Sequence, residues 1–241
     1  MNKTKRKFIK NILILSIIII IIYLCYDAFL KKPYVNLDFL TSKNKIKELN
    51  EYLLNEKKIY SWKTKDFIAK KQTHAKKIPL TRCNKCKRLE HYEKRLVKGN
   101  SSYHIPNENY YDFPKLITFI KELDIFEDIG EIAIIINEPN EKGIEHKDHD
   151  YDWVSEFIWI RTNNIKQFYI KNKYGIPHTV NNNIIWFDDQ RTHNIHPVDK
   201  KSYSIRINGK FNNKFRKLIA NQNNFYKSDN KQILLNNKKQ Y

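Results

Sequence analysis

The sequence predicts a mainly β protein, an antiparallel sandwich or barrel with flanking helices, set behind one apolar N-terminal helix. Three observations carry this. Five short β-branched or aromatic runs lie between positions 131 and 211, each bounded by Asn, Gly, Pro or charge. The region before them has apolar residues at helical spacing. Positions 12–30 are almost unbroken hydrocarbon, with Asp27 the only charge.

The chain has 241 residues, enough for one well-filled core and a small appendage. Its first ten residues carry five basic side chains. The apolar run that follows spans about 28 Å as a helix, close to the thickness of a bilayer core. Tyr26-Asp27-Ala28 is a poor cleavage site, so the expectation is an uncleaved anchor over 11–30 in contact with a lipid bilayer. Only Lys31 and Lys32 follow it. The positive-inside bias keeps residues 1–10 cytoplasmic and puts the rest in a lumen or outside the cell. Asn100-Ser101-Ser102 is a glycosylation acceptor pattern usable on that side.

After the anchor, residues 33–42 read as a short spacer, and 43–60 (KNKIKELNEYLLNEKKIY) as an amphipathic helix. Residues 61–110 are basic and poorly periodic, so 31–110 is expected to be a helical and irregular region. It holds Cys83-Asn-Lys-Cys86, with His91 five residues on. A disulfide, half a zinc site or unpaired thiols all fit this pattern, and it receives no catalytic role. Positions 110–123 open a helix with Pro114 near its start and an apolar stripe at Leu116, Ile117, Phe119 and Ile120. The expected strands are 131–137, 155–161, 166–172, 182–188 and 201–211, within a core domain over 111–211. The tail, 212–241, is basic and Asn-rich, with one short helix around KFRKLIA.

The net charge of +19 invites a nucleic-acid reading. However, the lysines are spread along the whole chain and no nucleic-acid module accompanies them. The charge fits attraction to anionic membranes or acidic polymers better than specific nucleic-acid binding.

The chemistry concentrates at two strand ends. GIEHKDHDYD (143–152) follows the first strand, and one residue separates His146 from Asp148, so both side chains can turn toward a common point. His149 and Asp150 read as supporting or surface groups. WFDDQRTHNIHP (186–197) ends a later strand with His193 and His196, either of which can supply a second imidazole. Arg206 lies thirteen residues beyond His193, within YSIRI. Two imidazoles and one carboxylate on a face hold iron(II) and leave positions open for a bidentate 2-oxo acid and dioxygen. A guanidinium in an apolar strand needs an anionic partner, which the distal carboxylate of a bound acid supplies, or alternatively an internal Asp or Glu. Ser204 shares a strand face with Arg206, and Tyr169 offers a hydroxyl, so both are expected to support the acid. Asp188 and Asp189 are expected to orient the histidine loop. Trp153, Trp159 and Trp186 read as core aromatics, and Arg161 and Lys171 end strands.

On these residues the chain resembles the iron(II)- and 2-oxoglutarate-dependent dioxygenases. Their His-x-Asp, distant His and following Arg match His146, Asp148, His193 and Arg206. FDDQRTH (187–193) also resembles the strand end that carries the distal histidine of aspartyl/asparaginyl β-hydroxylases, which points to His193 over His196. That subfamily lacks the carboxylate ligand and has a shorter His-to-Arg interval, so the resemblance is to the superfamily and covers roughly 131–211. It implies a double-stranded β-helix (jelly-roll, cupin-like) fold, with iron(II) on His146, Asp148 and His193. It also implies 2-oxoglutarate anchored by Arg206, and hydroxylation of a protein, peptide or small-molecule acceptor with release of succinate and CO2. A metal enzyme that uses no 2-oxo acid and a non-catalytic tethered binding module are the competing expectations.

Overall fold

In the computed structural model the described residues are 3–57, 59, 76–83, 104–141, 143–148, 156–163, 165 and 167–222. Cys86, His91, Asn100-Ser101-Ser102, His149, Asp150 and Trp153 lie outside them.

Helix α1 (Lys3–Cys25) continues through a π-helical turn, Tyr26–Leu30. Lys5–Leu30 is long and apolar enough to cross a membrane, and its most apolar stretch, with a mean hydropathy of 2.7, has no buried residue. The expected spacer is instead structured. Strand β1 (Tyr34–Asn36) joins the main sheet, and a 3-10 turn, Asp38–Leu40, follows it. The Asp38 carboxylate accepts from the backbone N–H groups of Asn183 and Ile184 and from the Asn182 amide, each at 2.8 Å. Three bonds to one side chain fix this segment against the sheet.

Helix α2 (Lys43–Asn55) is capped by Ser42, whose hydroxyl accepts from the Lys45 N–H. It stops five residues short of the expected end and buries Ile46, Leu49 and Leu53. Helix α3 (Pro114–Glu122) has Pro in its first turn, where no N–H is required, and buries the four apolar residues of its stripe. Helix α4 (Asn213–Gln222) closes the described chain.

The strands are β2 (Lys76–Pro79), β3 (Thr81–Cys83), β4 (His104–Pro106), β5 (Phe126–Asn137), β6 (Phe157–Arg161), β7 (Phe168–Lys171), β8 (Pro177–Val180), β9 (Ile184–Phe187), β10 (His193–Ile195) and β11 (Ser202–Phe211). They form a six-stranded sheet, β1-β9-β6-β11-β5-β2, a three-stranded sheet, β10-β7-β8, and the small β3-β4 pair. His146 bridges to His193 at the free side of β10, so its segment extends the smaller sheet. From β5 onward the chain passes back and forth between the two sheets, the winding of a jelly roll.

Alternation along the strands separates two cores. On one side of the large sheet Ile134, Ile160, Ile205 and Ile207 pack with α2 and α3 residues. On the other, Tyr34, Phe157, Trp159, Ile185 and Phe187 meet Phe168, Ile170 and Val180 of the small sheet. The second core lies between the sheets, and the site opens at its edge. Trp159 and Trp186 take the core places expected of them, on opposite faces.

Candidate metal centre

His146 and Asp148 leave the small sheet at its free edge, and the main-chain pairing of His146 with His193 (2.9 and 3.1 Å) sets the two imidazoles side by side, ring centres 4.5 Å apart. A second link, from Asp148 N–H to the Asp189 carbonyl at 2.9 Å, folds the carboxylate back toward them. One ligand atom from each of His146, Asp148 and His193 lies within 4.8 Å of the others, a group that could hold a metal ion.

The ring nitrogens are assigned by their neighbours. Nδ1 of His146 is 2.7 Å from the Ile144 carbonyl and Nδ1 of His193 is 2.8 Å from the Arg191 carbonyl. A carbonyl oxygen only accepts, so each Nδ1 carries hydrogen, and in the neutral ring Nε2 keeps its lone pair. Both Nε2 atoms face Asp148 Oδ1, at 3.3 and 3.5 Å. Two lone pairs and one anionic oxygen therefore converge, the donor set that a borderline divalent cation such as iron(II) takes. His193 is buried and walled by Phe168 and Phe187, with ring centres at 5.7 and 5.1 Å. The other histidine of that loop is elsewhere: His196 is exposed and stacks on Tyr169 at 4.9 Å.

Arg206 follows the alternative expectation, pairing with internal carboxylates. Its guanidinium is at the triad itself, where one NH2 group donates to Asp148 Oδ2 and the other to Asp189 Oδ2 at 2.6 Å. Nε donates to Asn208 at 3.2 Å, and the Phe157 ring lies 4.0 Å from the guanidinium carbon. The anions that the half-buried arginine requires are supplied by the protein itself, by Asp148 and by the fully buried Asp189. Burial would push the Asp148 carboxyl up, but the Arg206 charge above all outweighs it and holds the carboxyl well below the usual range. Arg206 is in turn held fully charged, because the two carboxylates outweigh its burial.

Tyr169 is placed otherwise. Its β7 neighbours Phe168 and Ile170 point into the intersheet core, so Tyr169 points out, and its hydroxyl donates to Glu145 at 2.8 Å. Lys171, on the same outer face, donates to the other Glu145 oxygen at 2.7 Å. Ser204 is buried on the inner face with Arg206. Asp188 accepts from Gln190 N–H, and Asp189 reaches the histidine loop through the arginine rather than through an imidazole. Phe157 and Asn208 were not singled out from the sequence. The inward run Ser202, Ser204, Arg206, Asn208 is the signal that finds Asn208, and Phe157 is found only by knowing that β6 lies next to β11.

No family model matches the chain, and no curated protein matches it. Among solved structures it is similar to a prolyl-4-hydroxylase of Pseudomonas putida, at 10% identity and TM-score 0.44, over 78% of this chain and 97% of that one. A prolyl hydroxylase of Trichoplax adhaerens, solved with a hypoxia inducible factor oxygen degradation domain peptide fragment, gives 11% and 0.45 over 78% and 87%. A viral collagen prolyl hydroxylase of Paramecium Bursaria Chlorella virus-1, solved as a 2OG complex, gives 8% and 0.39 over 73% and 95%.

Proposed function

We propose that the chain is an iron(II)- and 2-oxo-acid-dependent oxygenase that hydroxylates an acceptor, with 2-oxoglutarate as the acid. The observation that carries this reading is the convergence of His146 Nε2, His193 Nε2 and Asp148 Oδ1 at the open edge of a jelly roll. These three atoms would hold the metal and leave its remaining positions open. When bound, iron(II) with a 2-oxo acid supplies the oxidation of a C–H bond by dioxygen, with succinate and CO2 as by-products.

The protein's own contribution is placement. The Ile144 and Arg191 carbonyls lock both imidazoles in the tautomer that presents Nε2. Arg206, braced by Asp189, aims Asp148 and keeps it ionised down to low pH. Phe157, Phe168 and Phe187 wall the centre against water.

The acceptor is proposed to be a polypeptide side chain or another secretory-pathway substrate. The supporting feature is α1, read as a single-pass anchor with residues 1–10 cytoplasmic and the jelly roll on the lumenal or extracytoplasmic side.

The engagement of Arg206 by two carboxylates is the one feature that favours a second reading, a cupin-like metal enzyme using no 2-oxo acid. One titration separates the two. Full-length protein in detergent, loaded with iron(II) without oxygen, should develop the visible charge-transfer band of a chelated 2-oxo acid as 2-oxoglutarate is added. It should then release succinate on exposure to air. An iron-loaded protein that shows no band at millimolar 2-oxoglutarate would retire the oxygenase reading and leave the second.

A further inference from the structure

The end of α1 and the turn between β7 and β8 meet, and the triad uses neither. Lys10 and Lys31 bracket residues 11–30. As a helix that stretch is about 30 Å long, the thickness of a hydrocarbon core. Ala28 stands two positions from its end, about 3 Å inside the span.

One side chain fastens the turn there. Asn172 is buried, and its side-chain oxygen accepts from the Tyr174 and Ile176 N–H groups at 2.9 and 3.0 Å. That use of the oxygen orients the amide, and the nitrogen donates to the Ala28 carbonyl at 2.5 Å. Lys173 and Tyr174 follow directly, so their backbone lies within about 7 Å of that of Asn172. A headgroup layer adds roughly 5–8 Å on each side of the hydrocarbon core. The turn and that layer are therefore of matching depth.

What the turn displays suits such a layer. Lys173 and Tyr174 are exposed, with Lys173 Nζ 5.0 Å from the centre of the Tyr174 ring. Lys32, also exposed, lies over the Tyr34 ring at 5.7 Å. Over 27–37 and 172–187 the sequence has three lysines, Lys31, Lys32 and Lys173, against one acid, Asp27. Lys171, by contrast, faces the outside of β7 and is matched there by Glu145. Tyrosine rings beside lysine ammonium groups are the composition of a membrane–water boundary, where the ring sits among headgroups and the cation meets phosphate.

We infer that the β7–β8 turn is a second membrane contact, in which Lys173 and Tyr174, together with Lys32, rest on the phosphates of phospholipid headgroups beside α1. One tether sets where the jelly roll is attached. Two contacts set which side of it faces the lipid. The inference rests on the reading of α1 as an anchor and is independent of the chemistry at the triad.

The test uses full-length protein in phosphatidylcholine nanodiscs in which some lipids carry gadolinium on the headgroup. Fluorotyrosine is placed at position 174 alone and, in a second preparation, in place of Ile165, which is exposed beyond the other end of β7. Fluorine relaxation at 174 should be accelerated about tenfold or more beyond that at 165, because the length of the strand, about 13 Å, separates the two positions. Lys32→Glu combined with Lys173→Glu should cut the effect at 174 about threefold or more, because phosphate repels the new carboxylates. Equal relaxation at the two positions overturns the contact. So does an effect at 174 that survives the charge reversal, since closeness to α1 alone then accounts for it. A chain that enters nanodiscs with neither position relaxed removes the contact and leaves the anchor. A chain that purifies without detergent and stays outside nanodiscs removes both.

Discussion

Arg206 lies between two carboxylates with different surroundings: Asp148 faces the position where a metal would sit, and Asp189 is sealed from solvent. A planar fork can serve both at once, but a lysine ammonium, as a single point of charge, cannot. Arg206→Lys is therefore expected to lower iron(II) affinity by about 10- to 100-fold, as seen when groups that orient metal ligands are lost. Metal titration of the folded variant checks this. Arg206→Ala leaves two carboxylates facing each other in a poorly solvated site and should cost roughly 3–5 kcal/mol in chemical denaturation. His193→Ala should abolish iron binding and His196→Ala should leave it unchanged, because the His196 ring lies outside on Tyr169. Measurable iron binding by the first variant would break the triad. The three triad members were readable because a one-residue gap and a strand end constrain where imidazoles can point. Which of its two expected partners Arg206 meets was not, because a strand face says which way a guanidinium leaves the sheet and nothing of what meets it. Its second partner, Asp189, comes from a loop seventeen positions earlier. The outward face of Tyr169 was also readable, since the apolar neighbours on either side already fix it.

Elements were legible where they bury an apolar stripe and obscure where pairing alone holds them. Helices α2 and α3 and strands β5, β6, β9 and β11 carry Ile, Leu, Phe or Trp at the right period. Strands β8 (PHTV) and β10 (HNI) have little β propensity, and they exist because β7 offers a free edge on each side. The hairpin between β7 and β8 turns on Gly175, whose φ of +79° suits glycine, and on Asn172, whose side-chain oxygen accepts from the Tyr174 and Ile176 N–H groups. On β11 the register slips at Gly209, where an added Cβ would meet the Asp128 carbonyl oxygen at 2.6 Å and the Phe126 ring at 2.5 Å. A backbone oxygen in a paired strand cannot easily withdraw, so Gly209→Ala should destabilise the fold by about 1–3 kcal/mol, read from the denaturation midpoint. Between α2 and α3, burial above all, with the charges of Glu56 and Asp112, pushes the Tyr52 hydroxyl up to about 12. The folded state thus resists an ionisation that the unfolded chain undergoes near 10. The stability held below pH 10 should fall as pH rises toward 12, and Tyr52→Phe should flatten that decline in denaturation curves across the same window.

At the scale of the whole molecule, the pairing of Arg206 with Asp148 ties the two sheets together at the triad. Asp148 and the histidines belong to the small sheet and its loops, and Arg206 belongs to the large one. A cation bound there favours the folded state by mass action, about 2.7 kcal/mol at a hundredfold excess over its dissociation constant. For a chain of this size that is roughly 2–4 °C per kcal/mol in Tm. Detergent-solubilised protein should therefore melt several degrees higher with iron(II) or manganese(II) than with chelator, and His146→Ala should erase the difference. A last consequence comes from β1. Only Lys31, Lys32 and Pro33 stand between Leu30 and the first residue of the large sheet. Asn172 also donates from the β7–β8 hairpin to the Ala28 carbonyl at 2.5 Å. With α1 in a bilayer, so short a stem gives the jelly roll no leash to swing on. The reaction mouth would ride at one height above the lipid, and acceptors would be chosen by their altitude as well as by their chemistry.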